Sequence, residues 1–407
     1  MSRLKVVFSI GAMHGGGSER QLLMLLQHLD RQRFEPYLYL IYPTGPLLDD
    51  VPDDVPITSF EQRHGPPRGP GFLMHRRRVD DMAAFLNQVQ ADVSYDRTFL
   101  MTLIAAAAAQ QVNVPNVSTI VTDPPVGFPA VAGRFQWMKR RLLRRLYCRS
   151  GRVLANSDGA ARSAERFYGL PPGLVQPHYN GVDLKRIDQL AALPVADEWW
   201  NSPAESSSAP PFRIVTAGRL DERKGFHLLI DAVRIIGRQS DSLQPASPEL
   251  RLAILGEGPL QERLQQQIDA ASLQRHVRLC GFQANAPAWF RSADLFVLPS
   301  LLEGMPNVLL EAMACGTAVL SADCDSGPRE LLQSGRFGKL CAVNSVTALK
   351  DGIQEFVADE RLSVRYTSAA RAHIEQSFSC DQATRKLENI LQEVVNSHVA
   401  DTGKQAR

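Results

Sequence analysis

"LPSLLEGMPNVLLEAMACG", Leu298–Gly316, changes character in its middle. Its first residues continue the apolar run "LFVLPS", which reads as a buried strand. Gly304 and Pro306 interrupt it, and "NVLLEAMA" then repeats apolar residues at helical spacing. Two carboxylates, Glu303 and Glu311, stand on either side of the break. Pro306 suits the first helical turn, because its missing N–H would be unpaired there. Glu303 is then in the loop before the helix, and Glu311 lies about 7–8 Å along the axis from Pro306 at ~1.5 Å per residue. The two carboxylates do not share a helical stripe; they suit the two ends of an elongated ligand. Glu311, with apolar neighbours on both sides, needs a hydrogen-bonding partner if buried. A ribose diol would satisfy both its oxygens; neighbouring backbone is the alternative.

The same strand-to-helix step recurs outward in both directions. "RIVTAGRL", "RLAILGEG", "VRLCGF" and "AVLSAD" read as strands around the quoted stretch, with helices at 226–237 and 259–271. Earlier in the chain, "KVVFSI", "PYLYLIY", "NVSTIVTD" and "RVLANSD" form a second set. Apolar strands separated by helices predict parallel α/β sheets, and two sets predict two Rossmann-like domains facing across a cleft. "NSPAESSSAPP", Asn201–Pro211, carries no apolar periodicity and reads as a seam. The expected division is 1–190, a linker or insertion at 191–211, a second domain at 212–380, and a C-terminal helix and tail at 381–407 that packs back across the domains. Ligands of open parallel sheets bind beyond the carboxyl ends of the strands.

Two further stretches carry candidate chemistry. In "TAGRLDERKGF", Arg219 ends a strand and Lys224 precedes a helix. A planar guanidinium and a compact ammonium could together neutralise a diphosphate; solvated loop cations are the alternative, and Arg223, beside Asp221 and Glu222, fits that alternative. In "SIGAMHGGGSERQLLMLL", Gly15, Gly16 and Gly17 let backbone approach a ligand. Ser18 reads as the helix N-cap with Gln21 completing a capping box, and the helix start favours anions. The run is neither a dinucleotide fingerprint nor a P-loop, and a tight β-to-α turn without a ligand is the alternative.

Composition sets limits. At 407 residues the chain suits two domains, and its 44% hydrophobic and 22% charged content is that of a globular protein. No apolar stretch approaches the ~18–20 residues of a membrane span, and the short run at the N-terminus reads as a first strand rather than an export signal. Six scattered cysteines without a C-x-x-C pair read as reduced core residues of a cytosolic protein, a metal or disulfide role being the alternative. Net charge is +2, but residues 1–190 hold 23 basic against 17 acidic side chains. This is not a nucleic-acid-binding pattern, and no metal or other cofactor is expected. Much of the basic excess lies in "GRFQWMKRRLLRRLYCRS", Gly133–Ser150, with seven Lys/Arg and no acid. Phe135, Met138, Leu142 and Leu146 recur there at helical steps, so the segment reads either as a helix on an anionic membrane surface or as a domain helix with a core stripe. "MHRRR", Met74–Arg78, is a second basic patch.

With Arg-x4-Lys-Gly, Glu-x7-Glu, "HGGGSER", "YNGVDLKRI", "ILGEGPL" and "SGPREL" in place, the chain resembles retaining glycosyltransferases of the GT-B fold, glycosyltransferase family 4. The resemblance covers most of the chain and implies a nucleotide-sugar donor, UDP-linked, and a glycan or lipid-linked acceptor; the accompanying expectation is a cytoplasmic location, with peripheral contact of Gly133–Ser150 with the inner face of the plasma membrane. It implies that Arg219 and Lys224 hold the diphosphate, that Glu303 lies by the transferred sugar, and that Glu311 holds the ribose. Met305, Pro306 and Asn307 would meet sugar and phosphates; Gly256, Gly258 and Phe282 would lie near the base; Gly16 and Gly17 would close the cleft from the other domain. Many members carry His-Asp after the strand that ends here in "STIVTDPP"; this chain has Thr122-Asp123, so His14 or Asp123 is expected to take that place on the acceptor side. A sugar-nucleotide epimerase or phosphorylase on this fold, and a non-catalytic donor-binding scaffold, remain the alternatives.

Overall fold

A computed structural model describes residues 3–66, 71–204, 209–243 and 248–405. It divides into one unit formed by residues 1–181 and 380–407 and a second formed by 182–379.

The first unit holds a seven-stranded sheet: β1 (Leu4–Ile10), β2 (Phe34–Leu40), β3 (Ile57–Ser59), β4 (Val93–Arg97), β5 (Asn116–Ile120), β6 (Arg152–Ala155) and β7 (Val175–Pro177). Every pairing is parallel, and the order is β3-β2-β1-β4-β5-β6-β7. Helices cover both faces, which is why β1, β4, β5 and β6 are buried along nearly their whole length. Three of these strands, β3, β4 and β7, escape the sequence reading. β4 is "VSYDR", polar yet buried. Its Asp96 accepts from Thr102, Asn116 and Ser118, so the polar groups satisfy one another inside the core.

The second unit holds β8 (Phe212–Ala217), β9 (Leu250–Leu255), β10 (Val277–Leu279), β11 (Leu295–Leu298), β12 (Ala318–Ala322) and β13 (Lys339–Cys341), all parallel, in the order β10-β9-β8-β11-β12-β13. Its core gathers Ile214, Leu252, Leu295 and Leu320 from the strands with Leu229, Val233 and Phe356 from the helices.

The expected boundaries need correction. The first unit ends at Gly181, not 190, and most of the expected linker belongs to the second unit. Trp200 is fully buried, packs tilted against Trp289 with ring centroids 5.1 Å apart, and its Nε1 donates to Ser292 Oγ at 2.8 Å. Buried Arg251 donates to the carbonyls of Trp199, Ser202 and Pro203. Two indoles and a guanidinium thus anchor the segment before the Ser-rich run; residues 205–208 lie outside the described set. At the other seam, the helix Cys380–Gln405 returns to the first unit, where Leu387, Leu391 and Val394 join its core.

Ser18 is not the cap of the first helix. That helix is Gly17–His28 with Gly16 as N-cap. Gln21 instead spends its amide on both backbone groups of Gly181, at 2.8 and 2.9 Å. All six cysteines are free thiols; Cys148 is exposed and Cys280 half-buried, so only four are core residues. Among the described residues no helix is long and apolar enough to cross a membrane.

Candidate active site

In each sheet the strand order reverses direction once. In the second unit the reversal falls between β8 and β11, since the chain runs outward from β8 to β10 on one side and from β11 to β13 on the other. The loops leaving β8 and β11 diverge at such a point and leave a crevice beyond the strand ends. Arg219 and Lys224 follow β8, and Glu303 follows β11.

The sheet brings Lys224 and Glu303, 79 residues apart in sequence, into direct contact: Lys224 Nζ donates to Glu303 Oε1 at 2.6 Å. The side chains are 19% and 9% exposed, so the pair is largely withdrawn from water. Ser300 Oγ donates to the same carboxylate oxygen at 2.7 Å. From the loop after β12, Ser326 Oγ donates to the Glu303 carbonyl at 2.7 Å. The Leu301 N–H donates to the Arg223 carbonyl at 2.7 Å, joining the β8 and β11 loops through backbone. Beneath them, Cys324 Sγ lies 3.1 Å from the Ser300 carbonyl. Burial pushes its thiol up to about 12, and the negative charge of Glu303 adds to that. Neither serine was singled out from sequence, although Ser326 opens the "SGPREL" motif and Ser300 lies just past a strand end.

Arg219 is exposed and makes no side-chain hydrogen bond or ion pair among the described residues. Arg223, by contrast, is tied to Asp221 at 2.6 Å, as a solvated loop pair should be. The loops after β9 and β10 close on the same region. Leu220 N–H donates to the Glu257 carbonyl at 2.9 Å, and Gly256 N–H to the Gly281 carbonyl at 2.7 Å. Gly256 has φ +127°, and a Cβ there would sit 2.0 Å from the Gly218 carbonyl oxygen. A Cβ on Gly258 would meet Leu220 backbone at 2.6 Å. Both glycines are therefore required by the approach of two loop backbones, whatever else they touch. Phe282, in the next loop, is 60% exposed.

Pro306 is the N-cap of the helix Asn307–Ala314 rather than its first residue. The sequence expectation was off by one position, since the Leu309 N–H already bonds the Pro306 carbonyl at 3.0 Å. Met305 and Pro306 are buried, and Asn307 and Glu311 are half-buried. Glu311 is thus not the fully enclosed carboxylate that its flanks suggest.

The remaining candidates belong to the first unit. His14, Gly16 and Gly17 follow β1, which with β4 flanks the reversal in that sheet. His14 is exposed. Asp123 precedes the helix Pro124–Ala132 without capping it, and Ser163 Oγ donates to its carboxylate. The basic segment forms the helix Gln136–Tyr147, whose buried residues are Leu143, Leu146 and Tyr147. Of the expected stripe only Leu146 is core; Phe135, Met138 and Leu142 are exposed. Among the described residues, one cluster has metal-ligand chemistry: His28, Cys380 and Asp381. Cys380 Sγ and His28 Nε2 are 3.1 Å apart, at hydrogen-bonding distance.

Comparison with known proteins follows this division. Residues 15–186 match the family model described as Glycosyltransferase Family 4, and residues 199–373 match Glycosyl transferases group 1. The Campylobacter jejuni N-acetylgalactosamine-N,N'-diacetylbacillosaminyl-diphospho-undecaprenol 4-alpha-N-acetylgalactosaminyltransferase is 30% identical over 232 residues, covering 56% of this chain and 57% of that protein. The chain spans about half the length of the sequence relatives it matches. Among solved structures, a glycosyltransferase from Rickettsia africae is similar at TM-score 0.76 and 15% identity, over 97% of this chain and 99% of that one. Anabaena HepE in complex with UDP and glucose is similar at TM-score 0.73 and 22% identity, over 96% and 100%.

Proposed function

Because this chain belongs to the GT-B glycosyltransferases, with family 4 in its first half and group 1 in its second, we propose that it moves a sugar, with retention, from a UDP-linked donor to a glycan or lipid-linked acceptor in polysaccharide or glycoconjugate synthesis. The observation that carries this reading is the Lys224–Glu303 contact at the β8/β11 reversal, with unpaired Arg219 beside it in sequence. A diphosphate brings two or more negative charges to the place where the chain offers two cations. Lys224 then exchanges Glu303 for phosphate, and the freed carboxylate faces the sugar. As the bond from the anomeric carbon to phosphate breaks, positive charge grows on the sugar ring and negative charge on the leaving oxygen. Glu303 stabilises the first; Arg219 and Lys224 stabilise the second. The acceptor oxygen bonds to the anomeric carbon on the same face, and its proton passes to the leaving phosphate oxygen. No separate base is required. Glu311, half-buried one turn into the next helix, holds the ribose, and Phe282 offers an open ring face to the base.

A uridine donor is supported by the HepE structure with UDP and glucose. A lipid-linked acceptor is supported by the diphospho-undecaprenol substrate in the name of the Campylobacter relative. The test is a thermal-shift screen of UDP-, GDP- and ADP-sugars, since a ligand bound to the native state raises apparent stability, followed by donor turnover with and without acceptor. A transferase releases UDP and forms a product whose anomeric configuration, read by NMR, matches the donor's. A phosphorylase makes sugar phosphate from inorganic phosphate, an epimerase changes the donor without releasing UDP, and a scaffold binds donor without turnover; any of these three outcomes overturns the reading.

A further inference from the structure

The helix Gly17–His28 ends on an imidazole that meets the start of the returning helix Cys380–Gln405. Cys380 Sγ lies 3.1 Å from His28 Nε2, across 352 positions of sequence, and 4.0 Å from Asp381 Oδ1. One ligand atom from each of the three residues falls within 4.8 Å of the other two. The cluster lies wholly inside the first unit, which holds both 1–181 and 380–407. It is also at the far end of its helix from the glycine turn after β1: His28 is about 16 Å along the axis from Gly17 at ~1.5 Å per residue. None of the three residues has a part in the transfer reaction proposed above.

Each group is oriented as a ligand would be. His28 Nδ1 lies 2.9 Å from the Met24 carbonyl, which can only accept, so Nδ1 carries the proton and Nε2 turns a lone pair towards the sulfur. A carbonyl on one ring nitrogen that leaves the other for the ion is the usual support of a metal-bound imidazole. Cys380 and Asp381 open their helix, and the positive end of a helix favours thiolate and carboxylate. Cys380 is buried, His28 half-buried and Asp381 exposed, so the sulfur is withdrawn while the carboxylate side stays open to an entering ion. A Cβ on Gly181 would stand 2.9 Å from both Cys380 Cα and Met24 Sδ and 3.0 Å from Ala383 Cβ. Backbone, thioether and methyl group therefore wall the inner side.

We propose that His28, Cys380 and Asp381 bind one zinc ion, with water in the fourth position, and that the ion pins the start of the returning helix to the end of the first. A tetrahedral zinc with Zn–S ~2.3 Å and Zn–N or Zn–O ~2.0–2.1 Å holds its sulfur about 3.5–3.6 Å from nitrogen or oxygen. The 3.1 and 4.0 Å separations bracket that value, so small side-chain rotations complete the geometry. Thiolate and carboxylate together neutralise the divalent charge, and the thiol proton passes to solvent on binding. Sulfur and imidazole select zinc over magnesium or calcium, which take oxygen ligands. A thiol–imidazole hydrogen bond accounts for the 3.1 Å contact without any ion, and is the reading the test must exclude.

The test titrates the metal-free full chain with cobalt(II) and then zinc. Cys148→Ser is the background, since Cys148 is the exposed thiol. One equivalent of cobalt should give a thiolate-to-metal charge-transfer band with the intense visible bands of a tetrahedral ion. Zinc should bleach both, and magnesium in large excess neither. Cys380→Ser keeps a hydroxyl for His28 and should abolish the charge-transfer band. His28→Gln should weaken zinc by more than the ~10–100-fold typical of losing an outer partner, and exposed Asp381→Asn by about tenfold or more. Zinc should raise the unfolding midpoint of the background protein but not that of Cys380→Ser. Should Cys380→Ser fail to fold, the surface change Asp381→Asn carries the comparison. No stoichiometric binding, cobalt bound without the thiolate band, or zinc affinity unchanged in Cys380→Ser and Asp381→Asn would overturn the proposal and leave a hydrogen bond. The readout is the spectrum of the ion itself, so the inference stands or falls apart from sugar transfer.

Discussion

Glu303→Gln separates two roles that Lys224→Ala merges. The ammonium of Lys224 and the carboxylate of Glu303 meet at 2.6 Å with 19% and 9% of their side chains exposed. At an effective dielectric of ~20, opposite charges about 3 Å apart attract by about 5 kcal/mol. Desolvation and residual solvent screening cancel most of that, leaving a net about 1–2 kcal/mol. A diphosphate that approaches Lys224 competes with this carboxylate. Glutamine keeps an oxygen for the Ser300 hydroxyl, which donates to Glu303 at 2.7 Å, but removes the charge. UDP should therefore bind Glu303→Gln about tenfold more tightly, equivalent to about 1.4 kcal/mol. Turnover should move the other way, falling a hundredfold or more, because the carboxylate that offsets charge on the sugar ring is gone.

Lys224→Ala reverses the first sign. It strands a largely buried carboxylate, which costs the fold about 1–3 kcal/mol, and it removes a charge-assisted bond to phosphate, weakening UDP about a hundredfold. Titration calorimetry with UDP and NMR-followed turnover at saturating donor read both effects. A Glu303→Gln protein that binds UDP no better than wild type, or keeps turnover within about twofold, would refute the exchange of Glu303 for phosphate at Lys224.

Glu311→Gln should weaken UDP ten- to a hundredfold, about 1–3 kcal/mol, while leaving inorganic pyrophosphate affinity unchanged, as competition calorimetry would register. Gly256→Ala forces a Cβ to 2.0 Å from the Gly218 carbonyl oxygen at φ +127° and should cost about 3 kcal/mol or more in urea unfolding. Acid sensitivity of the first unit should follow His178, whose pKa burial depresses from 6.5 to about 4, with the charges of Arg97 and Lys386 acting the same way and its bond to the Ala383 carbonyl opposing. The unfolded chain binds that proton more readily, so the stability His178 contributes is present above pH 6.5 and is lost as pH falls towards 4, about 3 kcal/mol in all. Asp96 runs oppositely: burial raises it from 3.8 to about 6, so its contribution is present below 3.8 and is lost as pH rises towards 6. The difference in unfolding free energy between wild type and His178→Gln should shift by about 2 kcal/mol between pH 6.5 and 4.5; a pH-independent difference would remove His178 as the cause.

What could be read from sequence and what could not divide along a physical line. A strand covered by helices on both sides is apolar throughout unless its polar groups pair with one another, so "KVVFSI", "RLAILGEG" and "LFVLPS" announce themselves. β4 does not, because Asp96 draws its partners from a helix six residues on and from β5 up to 22 residues on; no local period encodes such a set. The Ser-rich seam misleads for a related reason. Composition describes the exposed run, while the docking of Trp200 on Trp289 depends on residues nearly ninety positions apart. Ser18 has the chemistry of a cap, yet Gly16 takes that place and Gln21 is drawn to Gly181. The candidate site lies between these cases. Spacing could not pair Lys224 with Glu303, but a parallel sheet limits where polar side chains can sit without disturbing a core, and the carboxyl ends of its strands are such places. Arg219, Lys224 and Glu303 all fall there, beside the one reversal of strand order in their sheet. The strand pattern thus fixes the neighbourhood in which charges must converge, and the loop lengths after β8 and β11 decide which of them touch.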